Sequence, residues 1–320
     1  MKIESNLLLD DLRKLSKLEQ VKVDCPACKS SKYDHLFTKI HFNFVICKKC
    51  STVFVNPRPS ENSLEKFYTY SKFIDYWNKI FKETANIRKD KIFKPRMELV
   101  KKIIRENKIK NCNVLMEIGS GHGWFCELAK NQKLAKKIIA IEPSPMFAES
   151  CRKIHGIEVI ESTIEKFFKM NKIKTNADLI VNFELIAHLF DPKSFLRYCY
   201  KTLKKGGMLI LSTPNYYGFD IQILQDKSDY ISPHFLNYFN PSSIALLLRS
   251  LGFRNVKVIT PGLMDVNIVL NKIKNGQLNT RNQPFLKMIF EQGTDEFVKD
   301  LQFLLQKHNL SSHMMISACK

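Results

Sequence analysis

Apolar residues recur at helical spacing over two parts of the chain's first third. Leu8, Leu12 and Leu15 share one face of residues 5–20. Leu64, Phe67, Tyr68, Tyr76, Trp77, Ile80 and Phe81 follow the same period within 60–107. Ser60 or Asn62 is placed to cap that second stretch, and Pro95 is expected to break it, leaving a separate helix over 96–107. Between the two parts, HLFTKIHFNFVICKKC alternates aromatic and β-branched positions as a hairpin does, and VFVNPRPS closes the unit with two prolines.

From residue 112 the period changes. VLMEI, KIIAIEP, IEVIES, ADLIVNFE and GGMLILSTPN are short β-rich runs, interleaved with helical stretches such as WFCELAKNQ, PMFAESCRKIH and DPKSFLRYCYKTLK. That alternation predicts an α/β fold, a mostly parallel sheet with helices on both faces. A helix at 241–251, a strand at FRNVKVIT, helices over 266–310 and a terminal strand in SSHMMISACK complete the pattern.

Composition adds bounds. The 320 residues are 44% hydrophobic and 26% charged, as in an ordinary globular protein. The longest apolar runs, such as Ile244 to Leu248, are too short to span a bilayer. Acidic residues interrupt the leucines of MKIESNLLLDDLRKL, unlike a secretory signal, so a cytoplasmic protein without membrane insertion is expected. The formal charge of +20 raises the question of nucleic acid. The lysines are spread along the chain and arginine is scarce, which favours a compositional origin and leaves RNA as an alternative partner.

Four of the nine cysteines form two close pairs, Cys25/Cys28 and Cys47/Cys50, spaced C-x2-C-x18-C-x2-C. This spacing suits a closed four-thiolate Zn2+ site, structural because no coordination position is left for water. The other five cysteines are scattered.

The first strand of the α/β region runs into Glu117-Ile118-Gly119-Ser120-Gly121-His122-Gly123. Open α/β sheets bind ligands at the carboxyl ends of their strands, and glycines there let a ligand approach the backbone. A dinucleotide loop needs a third glycine at 124, where tryptophan stands, and GxxxxGK[ST] is absent. The second strand ends at Glu142, whose carboxylate can accept both hydroxyls of a ribose.

The ExGxGxG pattern resembles the first motif of class I S-adenosylmethionine-dependent methyltransferases. The resemblance implies that Glu117, Gly119, Ser120, Gly121, His122 and Gly123 line the cofactor, and that Glu142 and Pro143 form the second motif. It also implies Ser162 and Thr163 beside the adenine and Phe183 and Glu184 at the cofactor's edge, with LKKGGMLILSTPN as the fifth strand. The order of ribbon, helical segment and core resembles bacterial sugar methyltransferases of surface-polysaccharide and deoxysugar pathways. CPAC…CKKC, VFVNPRPS, KFYTYSKFIDYW, FELIAHLFDP, STPNYYGFDIQ and PHFLNYFNP carry that likeness, which covers nearly the whole chain. It implies O- or C-methylation of a nucleotide-linked or glycan sugar. Ala187 departs from the pattern, since many relatives carry a Glu-His pair where this chain has Ala187-His188.

Methyl transfer from a sulfonium is an in-line displacement, and an oxygen or carbon acceptor needs a base. His188 and His234 lie on loops at the expected active face, with Glu184 near the first of them, and these three are the candidate catalytic groups. Asn215, Tyr216 and Tyr217 are placed to meet substrate or to pack a loop. Tyr68, Tyr70 and Trp77 suit a lid or a core, and Arg88 and Arg96 an anion or a solvated helix face.

The expected fold is thus a Rossmann-like methyltransferase sheet, mostly parallel with an antiparallel last strand, carrying an N-terminal zinc ribbon and a helical cap. Its segments are a helix and ribbon over 1–58, a cap or linker over 59–110, a core over 111–265 and 311–320, and a helical insertion over 266–310. Two other functions stay open: an RNA methyltransferase gripping phosphates with the ribbon, and a non-catalytic zinc-ribbon interaction protein.

Overall fold

The computed structural model describes residues 2–109, 111–163, 166–167 and 176–320. Chain order begins with helix α1 (Lys2–Ser16), strands β1 (Gln20–Val21), β2 (Tyr33–Lys39), β3 (Phe42–Cys47), β4 (Val53–Val55) and β5 (Arg58–Pro59), and helices α2 (Glu61–Tyr70), α3 (Lys72–Glu83), α4 (Ala85–Arg88) and α5 (Lys94–Glu106). The α/β part follows with β6 (Val114–Ile118), α6 (Trp124–Asn131), β7 (Lys137–Ile141), α7 (Pro145–Arg152), β8 (Glu158–Ile160), β9 (Ala177–Phe183), α8 (Pro192–Thr202) and β10 (Leu203–Pro214). Helix α9 (Phe219–Leu224), β11 (Asn237–Tyr238), α10 (Pro241–Ser250) and β12 (Arg254–Ile259) lead to α11 (Asp265–Lys274), α12 (Pro284–Gln292), α13 (Asp295–Lys307) and β13 (His313–Cys319).

The central sheet has seven strands in the order β12-β13-β10-β9-β6-β7-β8. Strands β10, β9, β6, β7 and β8 are parallel, and β13 runs antiparallel between β10 and β12. This is the Rossmann-like, mostly parallel sheet with an antiparallel last strand that the alternation predicts. Successive residues face opposite sides, so each strand feeds two cores. Met116, Ile139, Ile180 and Leu209 point to one, with Phe195 and Leu196 of α8 and Ile244 and Leu247 of α10. Leu115, Ile138, Leu179 and Met208 point to the other, with Met97 and Val100 of α5 and Phe125 of α6.

The cysteine segment is not a free-standing body. Its sheet has the order β11-β4-β3-β2, so a strand from the far side of the chain completes it. One face of β3 gives Val45 and Cys47 to the first core, while Phe42 and Phe44 join Leu12 and Leu15 of α1 and Phe67 of α2. Buried Arg58 ties the segment down, donating to the carbonyls of Phe190 at 2.9 Å and Leu236 at 3.3 Å.

Pro95 does not break the helical stretch. The chain passes from α4 through a π-helical turn, Lys89–Phe93, directly into α5, with Pro95 in the first turn of α5. The proline is tolerated where the π turn shifts the hydrogen-bond register just before it, with Lys94 N–H bonded to Lys89 O. Among the described residues, no helix is long and apolar enough to cross a membrane.

Candidate active site

The glycine loop bridges β6 and α6 at the carboxyl end of the sheet. Gly119, Gly121 and Gly123 all have positive φ (73°, 54° and 75°), a region that L side chains enter only at a cost. Their surroundings differ. A Cβ on Gly119 would lie 3.1 Å from Leu185, and one on Gly123 would lie 2.7 Å from Ile154 and 2.9 Å from Cys151 Sγ. A Cβ on Gly121 would meet nothing within 4 Å. The outer two glycines are therefore needed for packing, and the middle one borders open space.

Glu142 follows β7 and is buried, with its backbone N–H held by Ile160 O at 3.0 Å. Its Oε2 accepts from Gly121 N at 2.8 Å and its Oε1 from Ser144 N at 3.0 Å. Burial raises its pKa, against the lowering effect of these two N–H groups. Ser120 is buried, with its hydroxyl 3.5 Å from Cys151 Sγ, and Pro143 is exposed beside Glu142. Ser162 and Thr163 follow β8 on the same side as Glu142, half-buried, with Ser162 N on Ile160 O. His122 stacks on Trp124 at 5.0 Å and meets Phe147 edge-on at 4.8 Å. Burial, helped by Lys82, lowers its pKa to about 4, so the ring is a neutral wall.

Below the loop lies a charged group that the sequence did not assemble. Arg96 of α5 sits over the Phe183 ring at 4.4 Å and the Phe93 ring at 5.1 Å. Burial lowers its pKa, while Glu184 and Glu117 oppose that shift. Glu117 is 3% exposed and accepts from the Cys126 thiol at 2.9 Å; burial raises its carboxyl to about 8. Arg88, the other candidate anion holder, lies elsewhere. Its guanidinium covers the Phe81 ring at 3.9 Å and donates to Thr84 Oγ1.

The two candidate bases stack on each other. The His188 and His234 rings are 5.5 Å apart, and Phe235 packs at 4.5 Å from one and 4.3 Å from the other. His188 Nδ1 donates to the His234 carbonyl at 3.1 Å and meets the Tyr68 hydroxyl at 3.1 Å, leaving Nε2 with its lone pair. Burial lowers His188 to about 4, against the His234 carbonyl and Glu184. Burial and His188 push His234 well below the ordinary histidine value, and its Nδ1 pairs with Ser232 Oγ at 2.7 Å.

Of the residues given two alternatives, Trp77 and Asn215 take the packing one. Tyr70 is 78% exposed, and Trp77 packs against Phe73 and Phe81. Asn215 is fully buried, its amide donating to Asn309 O and Ser311 O and its Oδ1 accepting from Tyr217 N. It fastens the β10 loop to the chain before β13, and its full burial keeps it from an acceptor in solvent. Tyr217 remains exposed beside it.

Two residues absent from the sequence reading join the site. His313, the first residue of β13, lies opposite Pro214 of β10 and so reaches the active face. Its Nδ1 is 3.4 Å from Glu184 Oε1, and its Nε2 is 3.3 Å from the Tyr230 hydroxyl. Nothing local in SSHMMISACK marks this histidine. Only the antiparallel insertion of β13 brings it to Glu184.

The cysteine pairs converge. All four sulfurs lie within 4.8 Å of one another, with Cys25–Cys50 and Cys28–Cys47 at 3.5 Å. Tetrahedral zinc with Zn–S bonds of about 2.3 Å separates its sulfurs by roughly 3.8 Å, so the set fits the ion. The two pairs adopt one turn twice. Lys29 N bonds Cys25 O and Cys25 N bonds Ser30 O, while Ser51 N bonds Cys47 O and Cys47 N bonds Thr52 O. Lys29 and Ser51 both take positive φ (58° and 55°). Asn240 clasps the second turn from outside, donating to Cys50 O and Ser51 O.

Comparison with known proteins agrees with the fold. A family model described as a methyltransferase domain matches residues 84–258, more than half of the chain, and the chain belongs to this family. It is similar to a probable S-adenosylmethionine-dependent methyltransferase of Mycobacterium tuberculosis, 27% identical over 143 residues, covering 44% of this chain and 49% of the relative. It is also similar to a ubiquinone biosynthesis O-methyltransferase of Xanthomonas oryzae pv. oryzae, 25% identical over 150 residues, covering 42% and 60%. The chain spans about half the length of the curated relatives it matches. Among solved structures, plantazolicin methyltransferase BpumL with SAH aligns at a TM-score of 0.51 with 16% identity, over 80% of this chain and 93% of that one. The related BamL complex aligns at 0.52 with 9% identity, over 80% and 94%. These two structures share the class I methyltransferase fold with this chain.

Proposed function

We propose that the chain transfers the methyl group of S-adenosylmethionine to a small-molecule acceptor. The observation that carries this reading is the junction of Gly121 and Glu142, a glycine open to space whose N–H rests on a buried carboxylate at the next strand tip. When bound, the cosubstrate supplies a sulfonium methyl that an in-line nucleophile can displace. Glu142 would accept the ribose hydroxyls with its remaining lone pairs, flanked by Pro143. Gly119, Ser120, Gly121, His122 and Gly123 would line the cleft, and Ser162 and Thr163 the adenine side. Arg96, acted on by both Glu184 and Glu117 and lying over the Phe183 ring, would meet the carboxylate of the amino-acid end. His188 and His234 would form the acceptor wall as neutral rings.

The finer reading is a sugar acceptor, nucleotide-linked or part of a glycan, methylated on O or C. It rests on the flanking motifs from CPAC to PHFLNYFNP. The relatives' names point to other small molecules, a ubiquinone precursor pathway and plantazolicin. Zinc held by Cys25, Cys28, Cys47 and Cys50 has a structural role in this scheme.

The test uses methyl-labelled S-adenosylmethionine with separate pools of nucleotide sugars and RNA. Label in the sugar pool is expected. Label in RNA alone overturns the acceptor class, and absence of SAH binding overturns methyl transfer altogether.

A further inference from the structure

We infer that His313, aligned by Glu184 and reached through the Tyr230 hydroxyl, is the group that takes the acceptor's proton. This rests on the methyl-transfer reading above. The arrangement is a linear relay from β10 through the end of β9 and the start of β13 to the Tyr230 loop. Ser212 Oγ donates to Glu184 Oε1 at 2.6 Å and fixes the carboxylate. Glu184 Oε1 faces His313 Nδ1 at 3.4 Å, which sets the tautomer with the proton on Nδ1 and the lone pair on Nε2. That lone pair faces the Tyr230 hydroxyl at 3.3 Å, and the two rings meet edge-on at 5.2 Å.

Position and accessibility favour this group. Glu184 directly follows β9, and its neighbour Leu185 packs against Gly119 of the cofactor loop. The Glu184 and His313 side chains are half-buried, with 32% and 33% of each accessible. Among the described residues, the Nδ1 atoms of His188 and His234 pair with Tyr68, a backbone carbonyl and Ser232 rather than with a carboxylate.

Electrostatics point the same way. Burial pulls His313 down, but Glu184, with help from Asp265, outweighs it and Arg96, so its pKa is raised. Burial likewise pushes Glu184 up, and His313, Arg96 and Ser212 overcome this to hold it at about 2. The carboxylate therefore stays ionised beside the imidazole and strengthens it as a base.

The step balances. The acceptor's X–H proton passes to Tyr230 Oη as the tyrosine proton passes to His313 Nε2. The X lone pair forms the bond to the methyl carbon, and the C–S electrons return to sulfur. The products are X–CH3, SAH and a histidinium paired with Glu184.

The experiment measures SAH affinity and single-turnover methyl transfer into the nucleotide-sugar pool for wild type, His313→Asn, His313→Gln, Tyr230→Phe and Glu184→Gln. Expected for the His313 and Tyr230 variants are SAH affinity within about threefold of wild type and transfer slowed roughly a hundredfold or more. The wild-type rate should rise with pH through a group titrating above the ordinary histidine value of 6.5, and Glu184→Gln should move that limb to lower pH. If wild type binds SAH and transfers methyl while His313→Asn or Tyr230→Phe stays within threefold, the relay is overturned and methyl transfer stands. An unmoved limb in Glu184→Gln also overturns it. Wild type that binds no SAH overturns the underlying reading and the relay with it.

Discussion

The backbone N–H of Gly121 donates to Glu142 Oε2 at 2.8 Å, joining the loop after β6 to the tip of β7. The bond fixes the one glycine of the loop that has open space above its α-carbon. It also orients a carboxylate that burial would otherwise leave poorly solvated. The loop's shape and the carboxylate's orientation are thus set by the same contact.

The outer glycines are replaceable only at a cost to the fold. Gly123→Ala forces a Cβ into Ile154 and Cys151 at a φ of 75°. The expected loss is about 2 kcal/mol of unfolding free energy, from the positive φ and the overpacking together. Gly121→Ala has the φ penalty without the clash and should lose about half as much. Urea denaturation of the two variants distinguishes them, and equal losses would refute the packing role of Gly123.

Glu117 makes the stability of the SAH-free protein depend on pH. Its folded pKa is raised from 4.5 to about 8 by burial, which the Cys126 thiol and Arg96 only partly offset. A raised carboxyl stabilises the fold while protonated, fully so below its unfolded pKa, and loses this as pH rises through the folded value. Wild type should therefore lose stability relative to Glu117→Gln between about pH 4.5 and 8, by up to roughly 5 kcal/mol. Thermal unfolding of both proteins across that range checks it; parallel profiles would contradict the assignment.

Zinc removal should act on the acceptor side and spare the cofactor side. Cys25 and Cys47 lie in the same core as Ile186 and Phe239, and β11 pairs with β4, so loss of the ion loosens the chain around His188 and His234. The hydrogen bonds of Gly121 and Glu142 run to each other, to Ser144 and to Ile160, outside both elements. Purified protein should contain one zinc per chain, and Cys28→Ser should lower that content. Chelation should abolish methyl transfer while SAH affinity stays within about threefold. Loss of SAH binding in parallel with zinc would show that the two halves are not separable.

Much of this site is readable in the sequence because its parts are local. The turn chemistry of Gly119 to Gly123, the acid at a strand tip and the CxxC pairs each lie within a few residues. His313 and Tyr230 are not readable in this way. Each reaches the site through pairing or packing with residues far along the chain, and neither carries a local pattern that differs from a core or surface residue. Pro95 was misleading for a related reason: a π turn before it moves the helix start, so the rule for proline in a helix interior does not apply. The ribbon's dependence on β11 was hidden because a two-residue strand leaves no periodic signal.

Isothermal titration with SAH reads the junction of Gly121 and Glu142. Saturable 1:1 binding by the wild-type chain is expected, weakened at least about tenfold, or ~1.4 kcal/mol, by Glu142→Ala. Absence of binding, or equal affinity in the variant with its fold intact, would contradict it.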